Sequence, residues 1–351
     1  MAIESKKKVP ETRLVAPSEE IIDVPEEATL RPSSLSEYVG QENVKRHLGI
    51  AVDSAKARRA ALEHVLLYGP PGLGKTTLSF ILAKEMGANL KTTSGPAVEK
   101  PADLVSLLTG LSEGDVLFID EIHRLKPQTE EILYSAMEDF AIDIMVGSGT
   151  GASSVRMEIP KFTLVGATTK LSKLTGPLRD RFGNVLKLDF YEEPELSRIA
   201  ARSMKVLGMD GFDQGVAETV AKKSRGTPRI VNRFVKILRD YSVVGRDVKT
   251  SEGAEQVFEY LGIDALGLDP LDRKLLSTLA YKFGGGPVGL NTLASIVGEE
   301  EETVEDVVEP FLLKAGFLER TPRGRRLTAS GEDWIRRDGI SEEAGSQTRL
   351  G

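Results

Sequence analysis

Two periods of apolar residues alternate through the first half of this chain, and one of them then disappears. Short, almost uninterrupted apolar runs at Val65-Leu66-Leu67-Tyr68, Asp115-Val116-Leu117-Phe118-Ile119-Asp120 and Phe162-Thr163-Leu164-Val165-Gly166-Ala167 predict buried strands. Between them lie stretches of helical period. One runs from about Glu42 to Arg59 with Val44, Leu48 and Val52 on one face, one ends near Met86, and one passes through Glu130 to Asp139. Buried strands alternating with helices predict a parallel sheet covered on both faces. Two alternating segments, 142–146 and 155–159, flank a Gly-Ser-Gly-Thr-Gly stretch and predict a β-hairpin.

From about Pro194 to Ile263 the strand pattern stops. Helical segments are predicted at Glu195–Leu207, Asp213–Ser224, Thr227–Val243 and Ser251–Leu261, a small all-helical domain. The last part reads helix, helix, helix, hairpin. Leu271, Leu275, Leu279 and Phe283 line the first helix, and Leu290, Leu293, Ile296 and Val297 line the second. Val304, Val308 and Leu312 line the third, with Thr303-Val-Glu-Asp306 as its expected capping box and Pro310 expected to bend it or to sit near its start. Strands at 317–320 and 326–328, joined by Thr321–Arg325, would complete a winged helix. The expected partition is a tail over 1–28, a large domain over 29–192, a helical domain over 193–264, a winged helix over 265–338 and a loose tail over 339–351.

Composition narrows the chemistry. Cysteine is absent, which removes disulfides, thiolate metal sites and cysteine nucleophiles. The three histidines, His47, His64 and His123, are far apart in sequence. No apolar run approaches a membrane span, and the basic N-terminus lacks the apolar core of a signal peptide, so the cytoplasm is the expected location. The net charge of −7 argues against wholesale nucleic-acid coating, but four arginines, Arg320, Arg323, Arg325 and Arg326, crowd the predicted wing.

Gly69-Pro-Pro-Gly72-Leu-Gly74-Lys75-Thr76 fits the G-x-x-x-x-G-K-[ST] spacing between a predicted strand and a predicted helix. Its amides would cradle phosphates, Lys75 would reach the β- and γ-phosphates, and Thr76 would hold Mg²⁺. Asp120-Glu121 closes the second strand. Asp120 is expected to hold the metal through water and Glu121 to activate the attacking water, the alternative being two carboxylates capping the next helix. Thr168 and Thr169, after the third strand, could sense a γ-phosphate or simply cap a loop. Arg179 and Arg181 flank Asp180. Either could be a surface partner of that aspartate, or an arginine finger aimed at a neighbouring subunit. Arg229 falls in the first turn of a helix opened by Thr227-Pro228, where a cation calls for an anionic partner: a phosphate, or a nearby carboxylate. The wing arginines suit phosphate contact, the alternative being a solvated charged turn.

Together these motifs resemble the AAA+ family of P-loop ATPases, and more closely the RuvB family of bacterial Holliday-junction branch-migration motors. The likeness rests on GPPGLGKTTL at 69–78, TTSGP at 92–96, DVLFIDEIHRL at 115–125, AMEDF at 136–140, FTLVGATT at 162–169, LTGPLRDRFG at 174–183, RGTPRIVNR at 225–233, GGGPVGLNTLA at 284–294 and GFLERTPRGR at 316–325. It implies an α/β AAA+ domain, a helical lid and a winged helix, using ATP and Mg²⁺ in a homo-hexameric ring on duplex DNA at four-way junctions. Leu30, Arg31, Tyr38 and Val39 would form part of the adenine pocket. Gly72, Gly74, Lys75, Thr76 and Thr77 would bind phosphates, with Tyr191 close to the nucleotide. Arg181 would be the finger, Arg229 the lid sensor, and Glu138-Asp139-Phe140 would approach the nucleotide of a neighbouring subunit. The 142–159 hairpin would dock on RuvA through Ile142 and Ile144, and Arg320, Arg325 and Arg323 would meet DNA. One departure stands out: Gly298-Glu-Glu-Glu301-Glu302 carries an acid where the family pattern often has arginine, so that DNA contact is not expected here. A clamp-loader or protein-remodelling ATPase would share the core but leave the wing arginines idle. A winged-helix regulator would bind ATP without turning it over.

Overall fold

The computed structural model describes residues 29–146 and 153–337. It divides into two compact units, with the boundary between Tyr191 and Glu192. Both expected tails and the glycine-rich hairpin turn lie outside the described residues.

The first unit is built on a five-stranded parallel sheet. Its strands are β1 (Val65–Tyr68), β2 (Leu90–Ser94), β3 (Val116–Asp120), β6 (Thr163–Thr168) and β7 (Asn184–Lys187), in the order β2-β3-β6-β1-β7. The three strands expected from their apolar runs occupy the centre, and all six residues of β6 are buried. β2 and β7, which sequence reading missed, are the edges. Leu90-Lys-Thr-Thr-Ser94 and Asn184-Val-Leu-Lys187 are only partly buried, so they carry no apolar run to betray them.

Helices α1 (Glu42–Arg58), α2 (Lys75–Met86), α3 (Pro101–Thr109), α4 (Pro127–Glu138) and the short α5 (Gly176–Asp180) belong to this unit. α1 forms where its period placed it. Val44, Leu48 and Val52 are buried, Glu42 sits in the first turn, and Lys56 and Arg58 in the last, each charge complementing the helix dipole. Those three side chains contribute on the order of 1.5–3 kcal/mol each by leaving water. Strands β4 (Ala141–Val146) and β5 (Ser153–Glu158) pair antiparallel, Ile142 opposite Met157 and Ile144 opposite Val155. The hairpin is where it was expected, but Ile142 is 1% exposed and belongs to the core under α4. It cannot be a partner contact: the residue lies at the hairpin's base, where the sheet-side core reaches it. The side chain of Ile144 lies outside the described residues.

The second unit opens with four helices, α6 (Glu193–Val206), α7 (Gln214–Lys223), α8 (Pro228–Val243) and α9 (Ser251–Tyr260), closed around Phe234 and Phe258, whose rings meet at 4.8 Å. The winged helix follows. α10 (Pro270–Ser277) continues through a π turn at Thr278–Lys282, and α11 spans Leu290–Val297. α12 starts as Glu301–Thr303, widens into a π turn at Val304–Val308 and closes as Glu309–Lys314. The predicted capping box at Thr303 is therefore corrected. The cap is Glu300, and Thr303 already lies inside the helix. Pro310 falls in the first turn of the closing segment Glu309–Lys314, where the helix resumes after the wide turn and its missing N–H and its ring are accommodated.

The wing pairs β8 (Leu318–Thr321) with β9 (Gly324–Leu327), a tighter hairpin than expected, because Gly324 adopts φ +133° and turns the chain back early. Arg325 thus lies on a strand, directly opposite Arg320. A final helix, α13 (Ala329–Arg337), also escaped the sequence reading. It packs Trp334 against Phe317 at 5.7 Å.

Lid and winged helix are joined by charge buried between them. Arg225, at φ +55°, donates from Nε to Gly267 O at 2.6 Å, pairs with Asp272 and with Asp269 at 3.9 Å, and lies 4.8 Å over the Phe311 ring. Nearby, Lys223 pairs with Glu255 at 2.8 Å.

Candidate active site

The carboxyl ends of β1, β6 and β3 stand side by side, the place where open parallel sheets carry ligands. β6 lies between the other two, so the tips bearing Lys75 and Asp120 are separated by the one bearing Thr168.

The loop after β1 is shaped by glycine. Gly69, Gly72 and Gly74 have φ of +144°, +77° and +99°. A Cβ on Gly69 would strike the Leu188 carbonyl oxygen, and one on Gly74 the Tyr38 hydroxyl. This conformation turns backbone amides inward, at the N-terminus of α2. Lys75 is buried and donates to Gly69 O at 2.7 Å and Pro70 O at 2.9 Å, which suspends its ammonium across the loop. Thr76 and Thr77 follow in the first turn of α2.

Behind the loop, Tyr191 donates to the Tyr38 hydroxyl at 2.8 Å, and Tyr38 donates to Leu73 O at 3.2 Å. Burial, and then the neighbouring Tyr191, push the Tyr38 phenol far above its ordinary range, so it stays a neutral donor. Leu30 is buried, Arg31 stacks 4.6 Å from the Phe80 ring, and Val39 follows Tyr38. Gln41, overlooked in the sequence, clamps the end of the sheet: its Nε2 donates to Asp189 O at 2.6 Å and its Oε1 accepts from Asp189 N at 3.2 Å.

At the tip of β3, Asp120 Oδ1 accepts the Glu121 N–H at 2.9 Å, and Glu121 sits at φ +44°. Its carboxylate accepts from Thr169 N and Oγ1, both at 3.2 Å, and pairs with His123 Nδ1 at 3.0 Å. Burial pushes the Glu121 pKa up. The His123 hydrogen bond, the Thr169 amide and the charge of Lys75 together outweigh burial and hold it below the usual glutamate range. The residue is thus a fixed, ionised carboxylate. His123 also bonds Thr168 Oγ1 at 2.9 Å, so one imidazole ties β6 to the base. Sequence reading gave His123 no role; its place two residues after Glu121 was the available signal. Thr168 is fully buried and engaged with His123 and Lys170 N, whereas Thr169 bonds the base directly.

The two arginines of α5 separate. Arg179 is the surface partner of Asp180, at 3.8 Å. Arg181 lies 4.5 Å over the Tyr134 ring, donates to Pro177 O at 2.7 Å and pairs with Glu138 at 3.1 Å, while its Nε makes no hydrogen bond. Asp139 is held by Arg156 at 2.7 Å, and Phe140, at φ +50°, packs edge-on against Phe162.

In the other unit, Arg229 follows Pro228 at the start of α8. Thr227 occupies the cap position and is buried, but its hydroxyl makes no capping bond. On the wing, Arg320 and Arg325 converge on the buried carboxylate of Glu309, Arg326 pairs with Glu319, and Arg323 is exposed, with no ion pair among the described residues.

The donor set fits a magnesium nucleotide. Mg²⁺ takes oxygen ligands, keeps waters and shares phosphate oxygens, and the Thr76 hydroxyl and the Asp120 carboxylate are oxygen donors of that kind. Among the described residues no cluster of three or more acidic, histidine or cysteine side chains forms a metal cage. No described helix is long and apolar enough to cross a membrane.

Comparison with known proteins agrees with this arrangement along the whole described chain. Residues 30–188 match the family model of the Holliday junction DNA helicase RuvB P-loop domain, 191–264 that of the RuvB AAA lid domain, and 265–336 that of the RuvB C-terminal winged helix domain. The Holliday junction branch migration complex subunit RuvB of Dehalococcoides mccartyi is 53% identical over 303 residues, 86% of each chain. The solved Thermotoga maritima RuvB Holliday junction branch migration motor is 48% identical with a TM-score of 0.79, covering 88% of this chain and 98% of its own. A point-mutant form of that protein reaches 49% and 0.80 over the same shares.

Proposed function

The chain belongs to the RuvB family, and from that premise we propose that it is an ATP-driven motor subunit that pulls duplex DNA to move Holliday junctions. The observation that carries this reading is the meeting of three strand tips, bearing Lys75, Asp120-Glu121 and Thr168-Thr169, in a chain that also holds a winged helix with an arginine-bearing wing.

Lys75 and the inward amides would hold the triphosphate. Thr76 directly, and Asp120 through water, would hold Mg²⁺, which supplies charge neutralisation on the phosphate oxygens. Glu121, already ionised, orients a water and accepts its proton as the oxygen attacks the γ-phosphorus and the bond to the β-phosphate breaks. Thr169 is the better sensor of the two threonines, because its hydroxyl lies on Glu121, whereas Thr168 is committed to His123. Arg181, parked on Tyr134 and Glu138 with Nε unbonded, serves as the finger for a neighbouring subunit, which calls for a closed ring, a homo-hexamer. Arg229 reads the nucleotide from the lid, and Arg225 passes lid movement to the winged helix. Exposed Val155 on the 142–159 hairpin, rather than Ile142, is the described apolar contact available to RuvA.

The test is branch migration of a synthetic four-way junction, with and without ATP and RuvA, in parallel with ATP turnover with and without duplex DNA. An Arg320→Ala/Arg325→Ala variant should lose the DNA response while keeping DNA-free turnover. Turnover indifferent to DNA in the native chain would favour a protein-remodelling ATPase instead.

A further inference from the structure

A carboxylate buried beneath a DNA-contacting ribbon is an odd placement, since it repels the phosphates the ribbon should attract. Glu309 is fully buried, yet Arg320 donates to its Oε2 from Nε at 2.8 Å and approaches again from Nη2 at 2.7 Å. Arg325 donates from Nε to Oε1 at 2.6 Å and from Nη2 to Oε2 at 3.2 Å. Two guanidiniums thus share one carboxylate through four charge-assisted contacts. Glu305 lies farther out, 3.9 Å from Arg320 and 3.7 Å from Arg325. Arg320 and Arg325 also face each other across the β8–β9 pair, where like charges repel.

The backbone explains how the carboxylate gets there. The π turn at Val304–Val308 rotates the helix ahead of Pro310, and Glu309 emerges from that turn facing inward, while Glu301, Glu302 and Glu305 are exposed or half-exposed. The outward acidic run makes the helix itself unwelcoming to phosphate, which leaves the wing as the contact.

We propose that Glu309 is a positioning residue for DNA: it holds Arg320 and Arg325 by their Nε and Nη2 edges as one rigid phosphate clamp that the duplex meets from its outer side, where Glu305 Oε1 lies 3.9 Å from Arg320 Nη1. This rests on the reading that the wing meets DNA. The gain is preorganisation, since two flexible arginines are ordered before binding rather than during it.

A purely electrostatic role predicts the opposite sign, which makes the proposal testable. Removing a negative charge beside two phosphate contacts should tighten binding unless that charge is what aims them. The experiment titrates the full chain into fluorescently labelled duplex DNA across a series of salt concentrations, reading anisotropy. Glu309→Gln keeps the shape and removes the charge. The expected result is binding weaker by about tenfold with a salt slope shallower by about one. Glu305→Gln, at the exposed carboxylate, should bind tighter. Glu309→Gln binding as tightly as the native chain, or tighter, overturns the proposal.

If thermal melting shows that Glu309→Gln does not fold, the native chain gives the answer by NMR of arginine Nε–H groups. Those of Arg320 and Arg325 should stay slowly exchanging when duplex is added, and their release on binding overturns the proposal. A native chain that binds no duplex in any nucleotide state would fail the DNA reading itself, a different result from a native chain that binds and a Glu309→Gln chain that binds better.

Discussion

Replacing Arg225 with alanine should damage the second unit far more than its distance from the P-loop in sequence suggests. The guanidinium is 3% exposed and answers Asp272, 0% exposed, and Asp269, 5% exposed. Its removal takes the positive charge away from two buried carboxylates between lid and winged helix, of which Asp272 keeps the N–H of Asp269 at 2.9 Å. Breaking a buried pair in this way costs about 3–5 kcal/mol. Loss of the contact with Phe311 adds roughly 0.5–2 kcal/mol. Asp269 retains the N–H groups of Leu271 and Asp272, at 2.9 and 3.0 Å, which moderates its share. The net expectation is about 4 kcal/mol, a large fraction of the stability of a typical domain. The assay is built into the sequence, because the only tryptophan of the chain, Trp334, lies in this unit against Phe317. Urea unfolding followed by its fluorescence should show a loss of unfolding free energy of that size, read as the midpoint shift multiplied by the m-value. A double variant, Arg225→Met with Asp272→Leu, should regain more than half the loss, since replacing a buried pair with apolar groups is often neutral. An Arg225→Ala chain less than about 1 kcal/mol weaker would refute the argument that this charge holds lid and wing together. The functional counterpart is a variant that hydrolyses ATP but fails to migrate a junction.

Four further outcomes follow from the ATP site. Because the folded pKa of Glu121 is depressed, its ionised form should persist as pH falls through the ordinary glutamate range; its contribution to stability is present above that range and lost progressively from there down through the folded pKa, while the acid limb of ATP turnover should lie below that range. His123→Phe removes the strongest of the interactions lowering that pKa, so the acid limb of the turnover-against-pH curve should move upward; an unmoved limb would sever His123 from the base. Arg181→Ala should leave the affinity for labelled ATP intact and lower turnover by about a thousandfold, the scale of an arginine finger, in the assembled ring. Tyr38→Phe removes the nearer of two phenol donors to Leu73 O, leaving only Tyr191 at 3.3 Å, and loosens the loop carrying Gly74, which should raise KM for ATP more than it lowers kcat in steady-state assays.

Much of this was readable in advance because the relevant signals are local. A buried strand running into a glycine-rich turn and a helix, or an apolar run ending in Asp-Glu, declares itself within ten residues. Edge strands do not: four of the five residues of β2 are lysine, threonine or serine, and most of the strand is only partly buried. Pairings across long sequence separations were equally silent. Nothing in the wing announces that Glu309 neutralises it. Arg225 was quoted within a motif, but its aspartate partners sit at 269 and 272. Ile142 was assigned to a partner because alternation marks a two-faced strand without saying which face the core takes. His123 was set aside by a count of histidines that tested for metal sites and not for contact with a carboxylate.

The register of the wing also bears on protein engineering. A ribbon that sets one arginine directly across from another is not a self-contained module, and moving residues 316–327 into a foreign scaffold would transplant a repulsion without its remedy. The smallest portable piece begins at Glu301, so that the widened helical turn and its inward acid travel with the strands they serve.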